Sequence, residues 1–386
     1  MGDRKYLNLC NFYFLLWCTY LLQGVVYSSG GLLSQLLLLL ILGVSLVGFV
    51  ICLFSYKLPS YLKGLAILLL MFTFYGIILL FSSDSLLKSS GETVSKISYL
   101  KGVYSSLLPV YSFYWFSKRK LLTIEKLRFW IVISFIVVTA NFLRHRAAIM
   151  VRLDAEEITN NIGYWFLALI PTCVLFKNKP LIQYGLLLYA LCFILLGMKR
   201  GAIVIGFICA IVFILYGFKK SSRTKKFLTI LLSVATVISV YYLFQYLLQN
   251  SDYFNYRLNS TIEGNTSQRD VLFSTLMDYY RSTTPLKQLF GSGAYSTILI
   301  GGNAAHNDWL ELLVCTGLLG VFIYLIYWFG FINSVKKLRA NSHYSDYYLA
   351  GVLILLIYFL MTLFSMSYSE MQFYTTAVLG FIISEE

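Results

Sequence analysis

The sequence predicts an all-α polytopic membrane protein of about twelve transmembrane helices with one large extracytoplasmic loop, on three observations. Apolar runs recur near the length that matches the hydrocarbon thickness of a bilayer, about 20 residues. Of 386 residues, 59% are hydrophobic and only 12% charged, about half the charged share of a soluble domain. The basic residues gather in short clusters between the runs, as cytoplasmic loops do. The net charge of +14 therefore reads as membrane topology, and nucleic acid is excluded as a partner.

The runs fall at about 7–26, 31–54, 63–81, 99–116, 127–143, 161–176, 182–197, 202–218, 227–248, 308–331, 347–366 and 370–384. The first opens like a signal sequence, with Met1 to Lys5 ahead of apolar residues. No small-residue cleavage site follows, so it is read as the first membrane helix. The last two are short, which leaves them as two spans, a merged pair or a re-entrant segment. With the N-terminus in the cytoplasm, Lys118-Arg119-Lys120, Lys177 with Lys179, Lys219 to Lys226, and Lys336-Lys337 with Arg339 all fall inside. Both termini are then cytoplasmic. The seven cysteines lie in apolar segments without CxxC spacing and read as small buried hydrophobes.

One long polar interval, 249–307, separates the ninth and tenth runs and falls outside. Within it, Thr266-Ser267 and Gln268-Arg269-Asp270 read as a helix start. Val271, Leu272, Phe273, Leu276, Tyr279 and Tyr280 then form one apolar face of an amphipathic helix that ends near Arg281. Pro285 and Gly291-Ser292-Gly293 turn the chain, and Ala304-Ala305 leads into His306, where the next membrane helix begins.

Two connections on the same side break the positive-inside pattern. Lys199-Arg200 sits in a link of a few residues, where a charge costs about 2 kcal/mol or more unless it has a partner. The pair either snorkels to the headgroups or binds an anion. The stretch from Arg144-His145-Arg146 through Arg152, Asp154, Glu156 and Glu157 to Asn160-Asn161 either pairs within itself or contributes to substrate binding.

Arginine offers a permanently charged planar fork that suits phosphate oxygens. Histidine accepts a proton near neutral pH, and nearby cations keep its ring unprotonated. Together they suit displacement of a diphosphate by a hydroxyl. The three histidines, at 145, 306 and 343, are too scattered for a metal site, and there is no HExxH, P-loop or GxGxxG. The expected chemistry is metal-free and without a cofactor.

The sequence resembles the O-antigen ligase and O-antigen polymerase superfamily. His306-Asn307-Asp308-Trp309-Leu310-Glu311-Leu312-Leu313 followed by Thr316-Gly317-Leu318-Leu319-Gly320 is similar to that family's signature. Lys199-Arg200-Gly201-Ala202 resembles its short arginine motif, and Ser267-Gln268-Arg269-Asp270 with Pro285 and Gly291-Ser292-Gly293 its large-loop pattern. The likeness covers about 190–332; Lys199 and Gln268 depart from the commoner residues.

The resemblance implies a GT-C-like membrane glycosyltransferase, one membrane domain over 1–386 with a catalytic loop at 249–307. It would act on undecaprenyl-diphosphate-linked glycan at the extracytoplasmic face of a bacterial cytoplasmic membrane. It further implies His306 as base for the acceptor hydroxyl and Arg200 with Arg269 as holders of the diphosphate. Lys199, Asn307, Glu311, Arg257 and Arg281 are supporting candidates. Asn307 caps the helix or orients His306. Glu311, about one and a half turns on from His306, reads either as a helix-initiating acid or as part of the site. Gly317 and Gly320 read as small residues for close helix packing.

The leading expectation is a polymerase of lipid-linked repeat units in O-antigen or capsule synthesis, with membrane lipids, a chain-length regulator and a flippase as partners. The alternative is an O-antigen ligase that delivers finished glycan to lipid A–core. A polysaccharide transporter or flippase is the remote reading from another class.

Overall fold

The computed structural model describes residues 2–83, 85–150, 162–220, 223–264, 269–340 and 345–386. Among these the chain is helical, with two isolated β-bridges and no strand. The first part holds α1 (Gly2–Leu21), α2 (Leu32–Ser55), α3 (Ser60–Phe81), α4 (Ile97–Leu107), α5 (Pro109–Lys118) and α6 (Ile124–Met150). Next come α7 (Ile162–Leu169), a 3-10 helix over Ile170–Phe176, α8 (Pro180–Leu196), α9 (Arg200–Lys220) and α10 (Arg223–Asn250). The last part holds α11 (Asp252–Ile262), α12 (Arg269–Ser282), α13 (Pro285–Phe290), α14 (Ser296–Gly301), α15 (Asp308–Ala340), α16 (Ser345–Phe364) and α17 (Phe373–Ser384).

Seven of the described helices, α2, α3, α6, α9, α10, α15 and α16, are long and apolar enough to cross a membrane. Their outward residues, such as Leu39 on α2, Val237 on α10 and Phe329 on α15, are large, apolar and exposed, a surface suited to lipid rather than water. The chain is a polytopic membrane protein. The remaining expected runs are shorter or divided. The run near 99–116 is split into α4 and α5 at Pro109, which has no N–H for the helix ladder. The run near 161–176 passes from α7 into the 3-10 helix beside Pro171.

Small residues set the closest contacts between helices, as expected where lipid gives no hydrophobic drive. A Cβ on Gly64 of α3 would lie 2.9 Å from the Tyr327 Cα of α15, and one on Gly330 would lie 2.6 Å from the Ser60 carbonyl oxygen. The Tyr61 N–H also donates to Ser334 Oγ at 3.1 Å. Helix α17 has only 12 residues, all buried, and at 1.5 Å per residue it is about 18 Å long. It therefore runs inside the bundle instead of facing lipid.

Contacts at the helix ends sort the two ends of the bundle. Ser117 in the last turn of α5 bonds Ser384 at the end of α17 at 2.6 Å. Lys337 near the end of α15 pairs with Glu386, and Lys177 with Asp346 at the start of α16, each at 2.5 Å. This end carries the dense basic clusters. The 3-10 turn Ser367–Ser369, between α16 and α17, meets the start of α15 at the other end.

The polar interval is more ordered than its composition suggests. It contains α11, α12, α13 and α14, where the sequence predicts a single amphipathic helix. That helix is α12, with the buried Leu276 on its inner face beside Leu310 and Val314. Its expected cap at Thr266-Ser267 and Gln268 lies outside the described residues, as do Arg152, Asp154, Glu156, Glu157, Asn160, Asn161 and His343.

Helix α15 breaks at Gly317, which adopts φ 69° and ψ −166°. The break removes intrahelical partners from the carbonyls ahead of it, and the loop replaces them. Ser292 N–H donates to the Val314 carbonyl and Gly293 N–H to the Cys315 carbonyl, both at 2.9 Å. A Cβ on Gly291 would lie 2.3 Å from the Cys315 carbonyl carbon, and one on Gly317 2.5 Å from that of Leu289. Gly317 thus admits the loop backbone at a break, where close packing between helices was expected. A Cβ on Gly320 would first meet its own helix at Thr316 Oγ1.

Candidate active site

The site is assembled where four helix ends converge, the starts of α9, α12 and α15 and the end of α16. Gly201, in the first turn of α9, packs so closely that a Cβ there would lie 2.5 Å from the Tyr164 hydroxyl and 3.7 Å from Phe364 Cβ. The Arg269 Nη1 at the start of α12 donates to the Phe364 carbonyl oxygen at 3.2 Å. That carbonyl ends α16, where the helix leaves its last acceptors unpartnered. Lys199 precedes α9 and holds its ammonium 5.8 Å from the centre of the Tyr164 ring, within cation–π range. The starts of α9 and α12 are thereby fastened to the end of α16, and the two basic motifs meet.

His306 sits in the turn before α15 with a left-handed backbone, φ 50°. Asn307 caps that helix: its Oδ1 accepts the Leu310 N–H at 3.0 Å. Asp308 is buried and accepts the Ser367 N–H at 2.9 Å and the Tyr324 hydroxyl at 2.5 Å, with the Ser367 hydroxyl as a third donor. Trp309 Nε1 donates to Thr362 Oγ1 of α16 at 2.9 Å. Asn307 thus closes the start of α15, and Asp308 and Trp309 tie it to the bundle.

His306 keeps solvent-accessible surface, yet protein surrounds the ring closely enough to dehydrate it. That dehydration, with the charges of Arg269, Lys199 and Lys88 next in order, pushes its pKa down to about 4. The imidazole is neutral at pH 7 and can accept a proton. Glu370, just after the 3-10 turn, faces the same cations. Burial raises its pKa, while its bond from Ser365 and the charges of Lys199 and Arg269 oppose that rise.

The structure thus joins His306, Arg269 and Lys199 from separate parts of the chain. Arg200 opens α9 beside Lys199 and is half-buried, while the cations acting most on His306 are the three named above. Arg281 is exposed and pairs with Asp278 at 3.8 Å on the surface of α12. Arg257 lies on α11, and its side chain is outside the described residues. Glu311 is buried next to the His306 turn.

Two contributors were missed by sequence reasoning. Lys88 lies on a short hairpin bridged between Leu87 and Thr93, and the Ser89 N–H donates to the Gly302 carbonyl at 2.8 Å. Glu370 looked like the edge of a span. Neither carries a local signal, because both reach the site through tertiary docking. No protein-family model matches the chain, and no curated protein matches it.

Proposed function

We propose that the chain is a metal-independent glycosyltransferase that polymerises lipid-linked oligosaccharide repeat units, displacing undecaprenyl diphosphate. The observation that carries this reading is the convergence of a neutral, solvent-accessible histidine with Arg269 and Lys199. His306 takes the proton of an acceptor sugar hydroxyl as its oxygen attacks the anomeric carbon. The bond to the diphosphate breaks, and Arg269, Arg200 and Lys199 hold the leaving group. A bound diphosphate also offsets the cationic field, which raises the basicity of His306 when a donor is in place.

On this reading the end with Lys118–Lys120, Lys177 and Lys337 faces the cytoplasm of a bacterium and the site faces outward. The twelve-span GT-C-like plan then counts the shorter helices as crossings, α17 making the last one inside the bundle. The test is reconstitution with defined lipid-linked donor and acceptor. The wild type should lengthen the glycan and release lipid diphosphate, and His306→Ala should lower kcat by about 10²–10⁴-fold. Turnover of that variant at the wild-type rate rejects the base assignment.

A ligase that moves finished glycan to lipid A–core would use the same groups. Gene deletion separates the two: single repeat units remain without a polymerase, and long chains stay on the carrier without a ligase. The break at Gly317 also fits a transporter, since transporters use discontinuous helices. Transport in vesicles with no glycosidic bond formed would favour that reading.

A further inference from the structure

We propose that Glu311 is the positioning residue of His306, its carboxylate holding the residue just before it. The inference rests on the reading of His306 as the base, but its geometry stands alone. Glu311 Oε2 accepts the Ala305 N–H at 2.8 Å. The Glu311 backbone N–H donates to the Asn307 carbonyl at 2.9 Å. That backbone bond is the first rung of α15, which any residue but proline would make at 311. The side chain's own hold on the turn is therefore the bond from Ala305, immediately before His306.

The other carboxylate oxygen closes the arrangement. Oε1 accepts the Thr297 hydroxyl at 2.8 Å and the Cys315 thiol at 3.6 Å. Thr297 belongs to α14 and Cys315 to the next turn of α15, so a single carboxylate joins α14, the His306 turn and the membrane helix. Glu311 is only 2% exposed, and such burial is costly unless the carboxylate is hydrogen-bonded throughout.

His306 needs this support. A left-handed backbone is unfavourable for a residue with a Cβ and persists only where the surroundings impose it. Loss of the Ala305 contact would let the turn relax and move the imidazole. A displacement near 1 Å is enough to slow a reaction about 100-fold. Gln at 311 can still accept from Ala305, and its amide can donate to Thr297 if that hydroxyl reverses its role. The proposal therefore separates position from charge.

The experiment compares wild type, Glu311→Ala and Glu311→Gln in the full-length protein. Hydrogen exchange is followed over the segment 302–308, and turnover is measured with lipid-linked donor. Glu311→Ala should speed exchange in that segment at least ~10-fold and lower kcat ~100-fold with KM within ~3-fold. Glu311→Gln should stay within ~3-fold of wild type on every measure. Unchanged exchange in Glu311→Ala, or equal losses in both variants, would overturn the proposal. Faster exchange in α3 and α17 as well would also overturn it, because Glu311 would then support the whole fold. If His306→Ala kept wild-type turnover, the base assignment would fall while the exchange data still decided the positioning role.

Discussion

Arg269 donates to the carbonyl oxygen of Phe364 at 3.2 Å, joining the first residue of α12 to the last residue of α16. The bond places a permanent cation over the end of a membrane helix, beside the start of α9. A guanidinium has five donors, so this anchor is compatible with phosphate binding. Lysine would keep the charge without the fork. Arg269→Lys should lower kcat/KM for lipid-linked donor ~10–100-fold, with Arg269→Ala lower still, in the reconstituted transfer assay.

The pH dependence follows from His306. Dehydration and three cations favour its neutral ring, so protonation of the free enzyme waits until pH falls through about 4. The acid limb of kcat/KM should lie there. A bound diphosphate offsets the cations, so the acid limb of kcat should lie at higher pH. Equal limbs in the two profiles would contradict the placement of the diphosphate beside His306.

Lys199→Met tests the cation that the sequence ranked behind Arg200. Its ammonium acts on His306 through charge and also approaches the Tyr164 ring. The acid limb of kcat/KM should move up toward the ordinary histidine range, because one depressing charge is lost. KM for donor should rise ~3–10-fold through weaker phosphate contact.

Gly317→Ala tests the break in α15. Its φ of 69° with ψ of −166° is glycine territory, and the new Cβ would lie 2.5 Å from the Leu289 carbonyl. A loss of about 3 kcal/mol or more is expected, measured as a lower Tm of the detergent-solubilised protein. Gly320→Ala should also lower Tm, since its Cβ would lie 2.4 Å from Thr316 Cβ, which side-chain rotation does not move.

Much of the architecture was legible because a bilayer imposes a simple length rule. The seven long helices follow apolar runs, and α12 keeps close to the predicted bounds, with Leu272, Leu276, Tyr279 and Tyr280 packed inward but Val271 and Phe273 exposed. The shorter elements escaped that rule. Pro109 and Pro171 divide two runs, and α17 is apolar all round because protein surrounds it. The helices α11, α13 and α14 are short and mostly polar or mixed, and they take their order from docking on the bundle.

His306, Arg269 and Lys199 could be named from residue chemistry and motif spacing. Their meeting could not. The sequence alone determined a membrane chain, because hydrophobicity and helix length are local properties. It also determined which side chains can carry charge or a proton. Only the tertiary structure decided that Lys88 and Glu370 join them and that Asn307 is a cap. It also decided that the Glu311 carboxylate grips the turn just ahead of His306. These relations depend on contacts between distant segments, and the polar interval gains its meaning from the helix ends on which it closes.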